Sequence, residues 1–412
     1  MKKLLTILAS LTLILSLSLP ALAVNHEGEI GICLDGNTYY PSSLPVQVQN
    51  GRTMVPLRDL AERLGADVEW VQETQEIVMI RAGSTVTMTL GKTTADVDGT
   101  AVEMDVAPYA VDGHTLIPAR YVAEFFGQVV TWDQENSLVV VEEDKSVAGD
   151  SNLEAWALAM GAMRGRLDHY GAGNGSTHFG QVPRCDPMIT DVPELFRYRL
   201  ELDWGIHDRE ELIAVILSMT FHGHNDSFQE AAAIANSLTD AEMEALIAQS
   251  SEVDAYMWPY TKALSEKWGE KGILAWDLFR MSNLVQWGYS AGYLTYAEAL
   301  ALVEPAAALL CETFSSWEEA YENYLWGAAW WERIDVEAFR TAREKSRAEG
   351  RIEPLDDSVE NAAYLDSFPR GSFYIELLAN PETTTLFDNT LFSTGVIGLP
   401  QGAAGSLDDL GN

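Results

Sequence analysis

The chain has 412 residues and a formal net charge of −36, from 62 acidic against 26 basic side chains. Such a field repels nucleic-acid phosphates and anionic lipid, which excludes both as partners, and it suits a soluble exported protein or one that meets cationic partners. Three cysteines, Cys33, Cys185 and Cys311, are too few and too widely spaced for a disulfide framework or a Cys-x-x-Cys metal site, and allow at most one bridge.

The first element in chain order is Lys2 and Lys3, then an apolar run from Leu4 to Leu19, then Ala21-Leu22-Ala23 as a small-x-small cleavage site. That is the pattern of a secretory signal peptide over residues 1–23. Its removal takes away two lysines, so the mature chain carries about −38, that is −36 less two positive charges. No later apolar run approaches the roughly 20 residues of a membrane helix. The expectation is a secreted, extracellular protein, with the cell wall as a place of attachment and no transmembrane segment after cleavage.

Residues 24–145 then contain a repeat. Asn50-Gly51-Arg52-Thr53-Met54-Val55-Pro56-Leu57-Arg58, with Ala61-Glu62, Gly65 and Trp70, is echoed by Asp112-Gly113-His114-Thr115-Leu116-Ile117-Pro118-Ala119-Arg120, with Ala123-Glu124, Gly127 and Trp132. The period is 62, the difference between Trp70 and Trp132. Asn-Gly and Asp-Gly accept positive φ at both central positions of a tight hairpin turn, so each should join two short strands. Pro56 and Pro118 suit the start of a helix, and Gly65 and Gly127 its left-handed C-terminal cap, which predicts a helix of about two turns. Val68 and Trp70, or Val130 and Trp132, alternate as in strands. The runs Ile77-Val78-Met79-Ile80 and Leu138-Val139-Val140-Val141 read as buried strands. Each unit is predicted as a small antiparallel sheet packed on one short helix.

Over about residues 29–143 these motifs resemble the copper amine oxidase N-terminal domain, the stalk domain of secreted Gram-positive proteins. The resemblance implies an extracellular appendage and does not bring oxidase chemistry with it. Amine oxidases of that family form their quinone from a Tyr in an Asn-Tyr-acid context and hold copper through a later His-x-His pair. Here Asn323-Tyr324 is followed by Leu325, and His222 with His224 comes before it. The chain also lacks the length of the oxidase barrel, so that activity is rejected.

Residues 146–150 read as a linker and residues 151–380 as an all-helical domain, with residues 381–412 as a flexible tail. Asp208 with Glu211, Thr239 with Glu242, Thr295 with Glu298 and Ser316 with Glu319 are capping-box pairs. They predict helices over roughly 152–169, 209–222, 227–237, 240–250, 252–266, 271–286, 296–312, 316–331 and 335–348. Ten of the twelve tryptophans fall here, and at helical spacing they read first as core, with an aromatic groove for a glycan or a helical peptide as the functional alternative. Cys311, beside the apolar run Ala306 to Leu310, reads as a small interior residue. The fold class is thus α+β with two domains, a duplicated sheet-on-helix stalk and a C-terminal all-α bundle.

This second domain, from about residue 152 to 348, resembles the uncharacterised bacterial domain of unknown function 1266. The likeness is carried by Trp204-Gly205-Ile206, Asp208-Arg209-Glu210-Glu211-Leu212, Gly223-His224, Ala275-Trp276-Asp277-Leu278 with Arg280, Gly288-Tyr289 with Gly292-Tyr293, and Trp317 with Tyr324 and Gly327. That family brings no chemistry to carry over. From the residues themselves, Asp277 and Arg280, three apart on one helix, read as a structural ion pair. The functional alternative makes His224, Asp277, Arg280, Trp276 and Tyr289 a binding pocket. Five histidines, His169, His178, His207, His222 and His224, lie within fifty-six positions, and His222, His224 and Asp277 form the alternative zinc set. No Gly-x-Ser-x-Gly elbow, phosphate loop or dinucleotide fingerprint occurs in the sequence. The leading expectation is a non-catalytic binding protein without a cofactor, recognising a cell-wall or protein partner. The alternative is a zinc-dependent hydrolase or transferase acting on envelope material.

Overall fold

The protein is described by a computed structural model covering residues 28–168, 191–351 and 387–390, with positions 392, 396 and 399. The predicted leader, Cys185, His169 and His178 lie outside the described residues. Three sheets fill residues 31–143, and helices fill the rest of the described chain, giving the α+β two-domain layout.

The first repeat opens with strands β1 (Gly31–Leu34) and β2 (Asn37–Tyr39) ahead of it, then runs β3 (Gln47–Gln49), β4 (Arg52–Pro56), helix α1 (Leu57–Arg63), β5 (Asp67–Val71), β6 (Glu76–Arg81), β7 (Ser84–Thr89), β8 (Thr94–Val97) and β9 (Thr100–Glu103). The second runs β10 (Tyr109–Val111), β11 (His114–Pro118), α2 (Ala119–Glu124), β12 (Gln128–Asp133) and β13 (Leu138–Glu143). Both hairpin turns carry the positive φ that their Asn-Gly and Asp-Gly pairs admit, 52° and 72° at Asn50-Gly51 and 49° and 83° at Asp112-Gly113. The prolines close β4 and β11 and stand as N-caps, while Gly65 and Gly127 turn left-handed just beyond the helices. Each helix buries the same three positions: Leu57, Leu60 and Ala61 in α1, and Ala119, Val122 and Ala123 in α2.

The units are not self-contained as predicted. Strands β4 and β11 pair with each other, Val55 opposite Ile117, so one sheet of order β10-β11-β4-β3 spans both repeats about a pseudo-twofold axis. Nor are the sheets wholly antiparallel, because β1 runs parallel to β13. Strand β6 is covered by β7, the strand that follows it, whereas after β13 the chain leaves for the helical domain. The edge of β13 is therefore covered by a strand from the start of the chain, which keeps its backbone N–H and C=O groups paired.

The helical domain comprises α3 (Leu153–Asp168), α4 (Val192–Trp204), α5 (Arg209–His222), α6 (His224–Ser237), α7 (Asp240–Gln249), α8 (Glu252–Trp268), α9 (Leu274–Ser290), α10 (Tyr296–Thr313), α11 (Trp317–Trp331) and α12 (Val336–Ala348). Nearly all of α9 is buried, and it packs on α3, α4, α5, α6, α10 and α11. Helix α4 is the element that the sequence reading lacked. Its Asp191 cap, its proline in the first turn and its left-handed Gly205 are regular signals, and its buried Pro193, Phe196 and Leu200 are spaced three and four apart. The charges between them masked that period. Two of the four capping pairs close fully, at Thr239 and Thr295. In the other two the carboxylate reaches one residue further back, Glu211 to the N–H of His207 and Glu319 to that of Ser315.

The segment read as a linker forms a 3-10 turn, Lys145–Ala148, capped by Asp144, with Ala148 buried in the helical core. Where the tail is described, it contacts the helical core. Trp317 donates to the Thr390 hydroxyl at 2.7 Å, and Phe387 and Phe392 pack on the Trp317 ring at 5.2 and 5.3 Å. Cys311 is partly buried and donates its thiol to the carbonyl of Phe392 at 3.0 Å, and both it and Cys33 are free.

Where the domains meet, Arg197 of α4 donates to the Ala291 carbonyl at 3.0 Å, the Gly65 carbonyl at 2.7 Å and the Asp67 carboxylate at 2.8 Å. Gly65 and Gly292 approach so closely that a Cβ on Gly65 would lie 2.6 Å from the Gly292 Cα, and both have positive φ. Beneath them Arg81 is buried. It donates to the carbonyls of Leu64 at 2.6 Å and Phe126 at 3.2 Å, which follow α1 and α2, and faces Glu143 at 3.9 Å. Glu143 also accepts from Gln128 and from the Tyr289 hydroxyl of α9. Burial pushes the Glu143 carboxyl upward against the pull of Arg81. Asp35, half-buried by surface area but enclosed by the same cluster, is pushed up to about 8 by desolvation and then by Glu143.

Removing one member of such a buried pair costs about 3–5 kcal/mol, because the other charge is stranded. Arg81→Leu should lose an amount of that order in urea denaturation. The double variant Arg81→Leu/Glu143→Leu should recover part of it, and no recovery would show that the carbonyl contacts, not the charge, dominate.

Candidate functional site

Helix α5 ends at Gly223, and α6 starts one residue later with only that glycine as its N-cap. A glycine has no side chain to cap with, so Asp277 of α9 takes the role from across the bundle. Its carboxylate accepts from the backbone N–H of Asn225 at 2.7 Å and from that of His224. A Cβ on Gly223 would collide with that carboxylate, which is why the chain is bare at this point. Asn225 repays the contact by accepting from the N–H of Ile273 at 2.7 Å, just before α9.

Asp277 is fully buried and accepts from Arg280 Nη2 at 2.6 Å. The Arg280 guanidinium lies 4.2 Å from the Trp276 ring centroid and 5.6 Å from that of Trp204, so its charge is held by aromatic faces as well as by the carboxylate. Burial raises the Asp277 carboxyl above its ordinary range, and Arg280 opposes that rise. His224 completes the group. Its Nδ1 faces Arg280 Nη2 at 2.7 Å and Trp276 Nε1 at 3.3 Å. Guanidinium and indole nitrogens only donate, so Nδ1 is an acceptor and the imidazole carries its proton on Nε2. Burial, then the Arg280 charge, lowers this His to about 4.

Four of the five residues of the predicted pocket therefore come together, and Tyr289 does not. It lies 12 positions beyond Asp277 on the same helix, about 18 Å away at 1.5 Å per residue, and its hydroxyl is committed to Glu143 at the domain seam. None of the four lines the neighbouring cavity. Their mutual hydrogen bonds occupy them, and they fasten α6 to α9. The alternative zinc set fails on geometry: His222 is largely exposed at the end of α5 and faces Asp226 at 3.4 Å. Among the described residues no three His, Cys, Asp or Glu side chains gather as metal ligands would.

A cavity of about 560 Å³ lies beside this group. Trp258, Trp330, Trp331 and Met257 make its apolar wall, and Asp254 and Arg333, paired at 2.8 Å, its polar margin. Trp331 connects the two places. One face of its ring is stacked on His224, with centroids 3.6 Å apart and planes 11° apart, while 47 % of the residue remains exposed. Trp330 is fixed by donating to the Thr261 hydroxyl at 2.8 Å and by edge contact with Phe228. The sequence signal for this site is the adjacent pair Trp330-Trp331, two large indoles about 100° apart at the end of one helix. Trp258 carried no such signal.

Two family models match the chain, one for each domain. Residues 33–141 match the copper amine oxidase N-terminal domain, a non-catalytic, stalk-like domain. Residues 199–352 match the protein of unknown function DUF1266. Among curated proteins, the chain is 29 % identical over 164 residues to the uncharacterised protein YbeU of Escherichia coli (strain K12), covering 39 % of this chain and 69 % of that protein. It is 26 % identical over 153 residues to the uncharacterised protein YbeR of the same organism, covering 36 % of this chain and 63 % of YbeR, just under two thirds of its length. No solved structure matches. The DUF1266 match includes His224, Trp276, Asp277 and Arg280 together with Trp258, Trp330 and Trp331.

Two outcomes follow for the helical domain. Asp277→Ala strands Arg280 and uncaps α6, so it should cost about 3–5 kcal/mol in urea denaturation; a folded, undiminished variant would remove the capping role. For His224, the unfolded chain takes up a proton near the ordinary value of 6.5 and the folded chain only near 4. Its contribution to stability is therefore present above pH 6.5 and is lost as pH falls from 6.5 to 4. His224→Asn keeps an acceptor near the Nδ1 position without titrating there. Its stability should fall less steeply across that window than that of the parent chain, and an unchanged slope would contradict the assignment.

Proposed function

We propose that this is a secreted, envelope-associated binding protein of a Gram-positive bacterium, in which the stalk domain attaches and the helical domain recognises. The observation that carries the reading is the open cavity of about 560 Å³ walled by three tryptophans, a size within the roughly 300–1,000 Å³ of small-ligand sites. The polar residues that looked most like a reactive set are meanwhile consumed in holding α6 to α9. On the stalk side, Trp70 and Trp132 occupy equivalent strand positions in the two repeats, 37 % and 48 % exposed. Aromatic rings left in solvent at matched positions of a duplicated unit supply a surface for attachment. The leader pattern of residues 1–23 supports export, and the acidity of the mature chain suits a protein that stays soluble outside the cell.

Cell fractionation with N-terminal sequencing tests the first half. The mature protein should be recovered with the envelope or the medium and should start at Val24, and a full-length protein confined to the cytoplasm would end the proposal. Sedimentation with purified cell walls tests the second. Trp331→Ala should reduce the wall-bound fraction severalfold, and equal binding by parent and variant would remove the helical cavity from recognition.

A further inference from the structure

We propose that the cavity between α6, α7, α8 and α11 is a carbohydrate site, which takes a neutral sugar ring stacked on tryptophan and hydrogen-bonded by Asp254 and Arg333. This rests on the reading that the helical domain recognises a ligand, and it names the class.

Charge narrows the ligand first. Asp254 and Arg333 neutralise each other at 2.8 Å on the cavity margin. A cationic ligand would meet Arg333 there, and an anionic one would meet Asp254 within the field of a chain at −36. A neutral ligand suffers neither repulsion. Polarity narrows it again, because the pair is solvated, with side chains 44 % exposed at Asp254 and 59 % at Arg333. A purely apolar occupant would strip that water without replacing its hydrogen bonds, which is costly for ions. Vicinal hydroxyls replace them on both sides, donating to the carboxylate and accepting from the guanidinium.

The opposite wall calls for a flat apolar face, and one side of a pyranose ring presents C–H groups of that kind. Trp331 is prepared for stacking. His224 lies parallel against one of its faces, and His224 is itself locked by Arg280 and Trp276. Trp330 is pinned to Thr261. Rings already held lose little conformational freedom when a ligand arrives, which favours affinity from a small contact. Beside the polar margin, the Tyr256 hydroxyl has no hydrogen-bond partner among the described residues, and the charges of Asp254 and Arg333 reach it.

The test uses the mature full chain, titrated with cellohexaose and with chitohexaose by calorimetry and by tryptophan fluorescence. Tetramethylammonium and a neutral leucine-rich peptide serve as counter-probes. At least one oligosaccharide should bind and shift the tryptophan emission. Trp331→Ala should weaken binding about tenfold, equivalent to about 1.4 kcal/mol of lost stacking. Asp254→Ala should weaken it severalfold with the fold intact by circular dichroism, and this exposed position keeps the test valid if Trp331→Ala fails to fold. The proposal is overturned if neither oligosaccharide binds at millimolar concentration, or if both variants bind as the parent does. Binding of only tetramethylammonium or the peptide, dependent on Trp331, would overturn the sugar assignment yet leave recognition by this cavity in place. Loss of Trp331-dependent binding to cell walls would instead remove recognition itself.

Discussion

Arg81 fixes the relation between the two halves of the stalk and between the stalk and the helical domain. It stands 62 positions before Glu143, so the two residues are the same site of the repeat in its two copies. Its acceptors Leu64 and Phe126 are again 62 apart. One copy of the position became the cation and the other the anion, and the cation satisfies the carbonyls after both short helices. A duplicated unit with identical residues here would have placed two like charges in one buried seam. The divergence of this site therefore sets a cation against an anion in the seam, while β4 pairs with β11 across the two repeats. Glu143 passes the connection on to Tyr289, so the orientation of α9 is tied to the same seam.

From that fixed end, α9 works as the axis of the helical domain. Its far end carries Trp276, Asp277 and Arg280, and there it meets two helices separated by a single glycine. The break between α5 and α6 leaves backbone N–H groups with no local cap, and in a buried place those groups must find an acceptor. Asp277 supplies it, Arg280 balances the charge, and His224 accepts from Arg280 and Trp276 while its ring supports Trp331. A concentration of His, Asp and Arg that resembles chemistry in sequence is, in three dimensions, the joint of a helix break. The joint also holds the indole that borders the cavity.

The sequence reveals most where local conformation is dictated by residue type. Asn50-Gly51 and Asp112-Gly113 announce their turns, Gly65 and Gly127 their helix ends, and Thr239 and Thr295 their capping boxes. It reveals least where a partner comes from far along the chain. The parallel pairing of β1 with β13, the capping of α6 by Asp277 and the seating of Phe387 on Trp317 involve residues 107, 52 and 70 positions apart. No periodicity records such meetings. Helix α4 is the intermediate case: its buried positions keep helical spacing, but Glu194, Arg197, Arg199, Glu201 and Asp203 dominate the pattern. Arg197 among them is a domain contact, which a charge pattern alone does not distinguish from a solvated face. Tyr289 illustrates the converse error, since its place on α9 with Asp277 suggested a shared site that 12 helical positions rule out.

The exposed tryptophans are placed differently in the two domains. In the helical domain Trp156, Trp276 and Trp317 are buried, whereas Trp331 is held half in solvent by a stack with His224. In the stalk both tryptophans are largely exposed, at the outer ends of strand faces whose Val68 and Val130 pack on the stalk core. Exposing an indole forgoes about 25 cal/mol for each Å² of apolar surface left in water. That loss recurs at both copies of one repeat position and again at the cavity margin. Folding alone would favour turning such rings inward. The rings left at the surface stand in two settings: at matched repeat positions on two different sheets of the stalk, and in a wall of the helical cavity braced by His224.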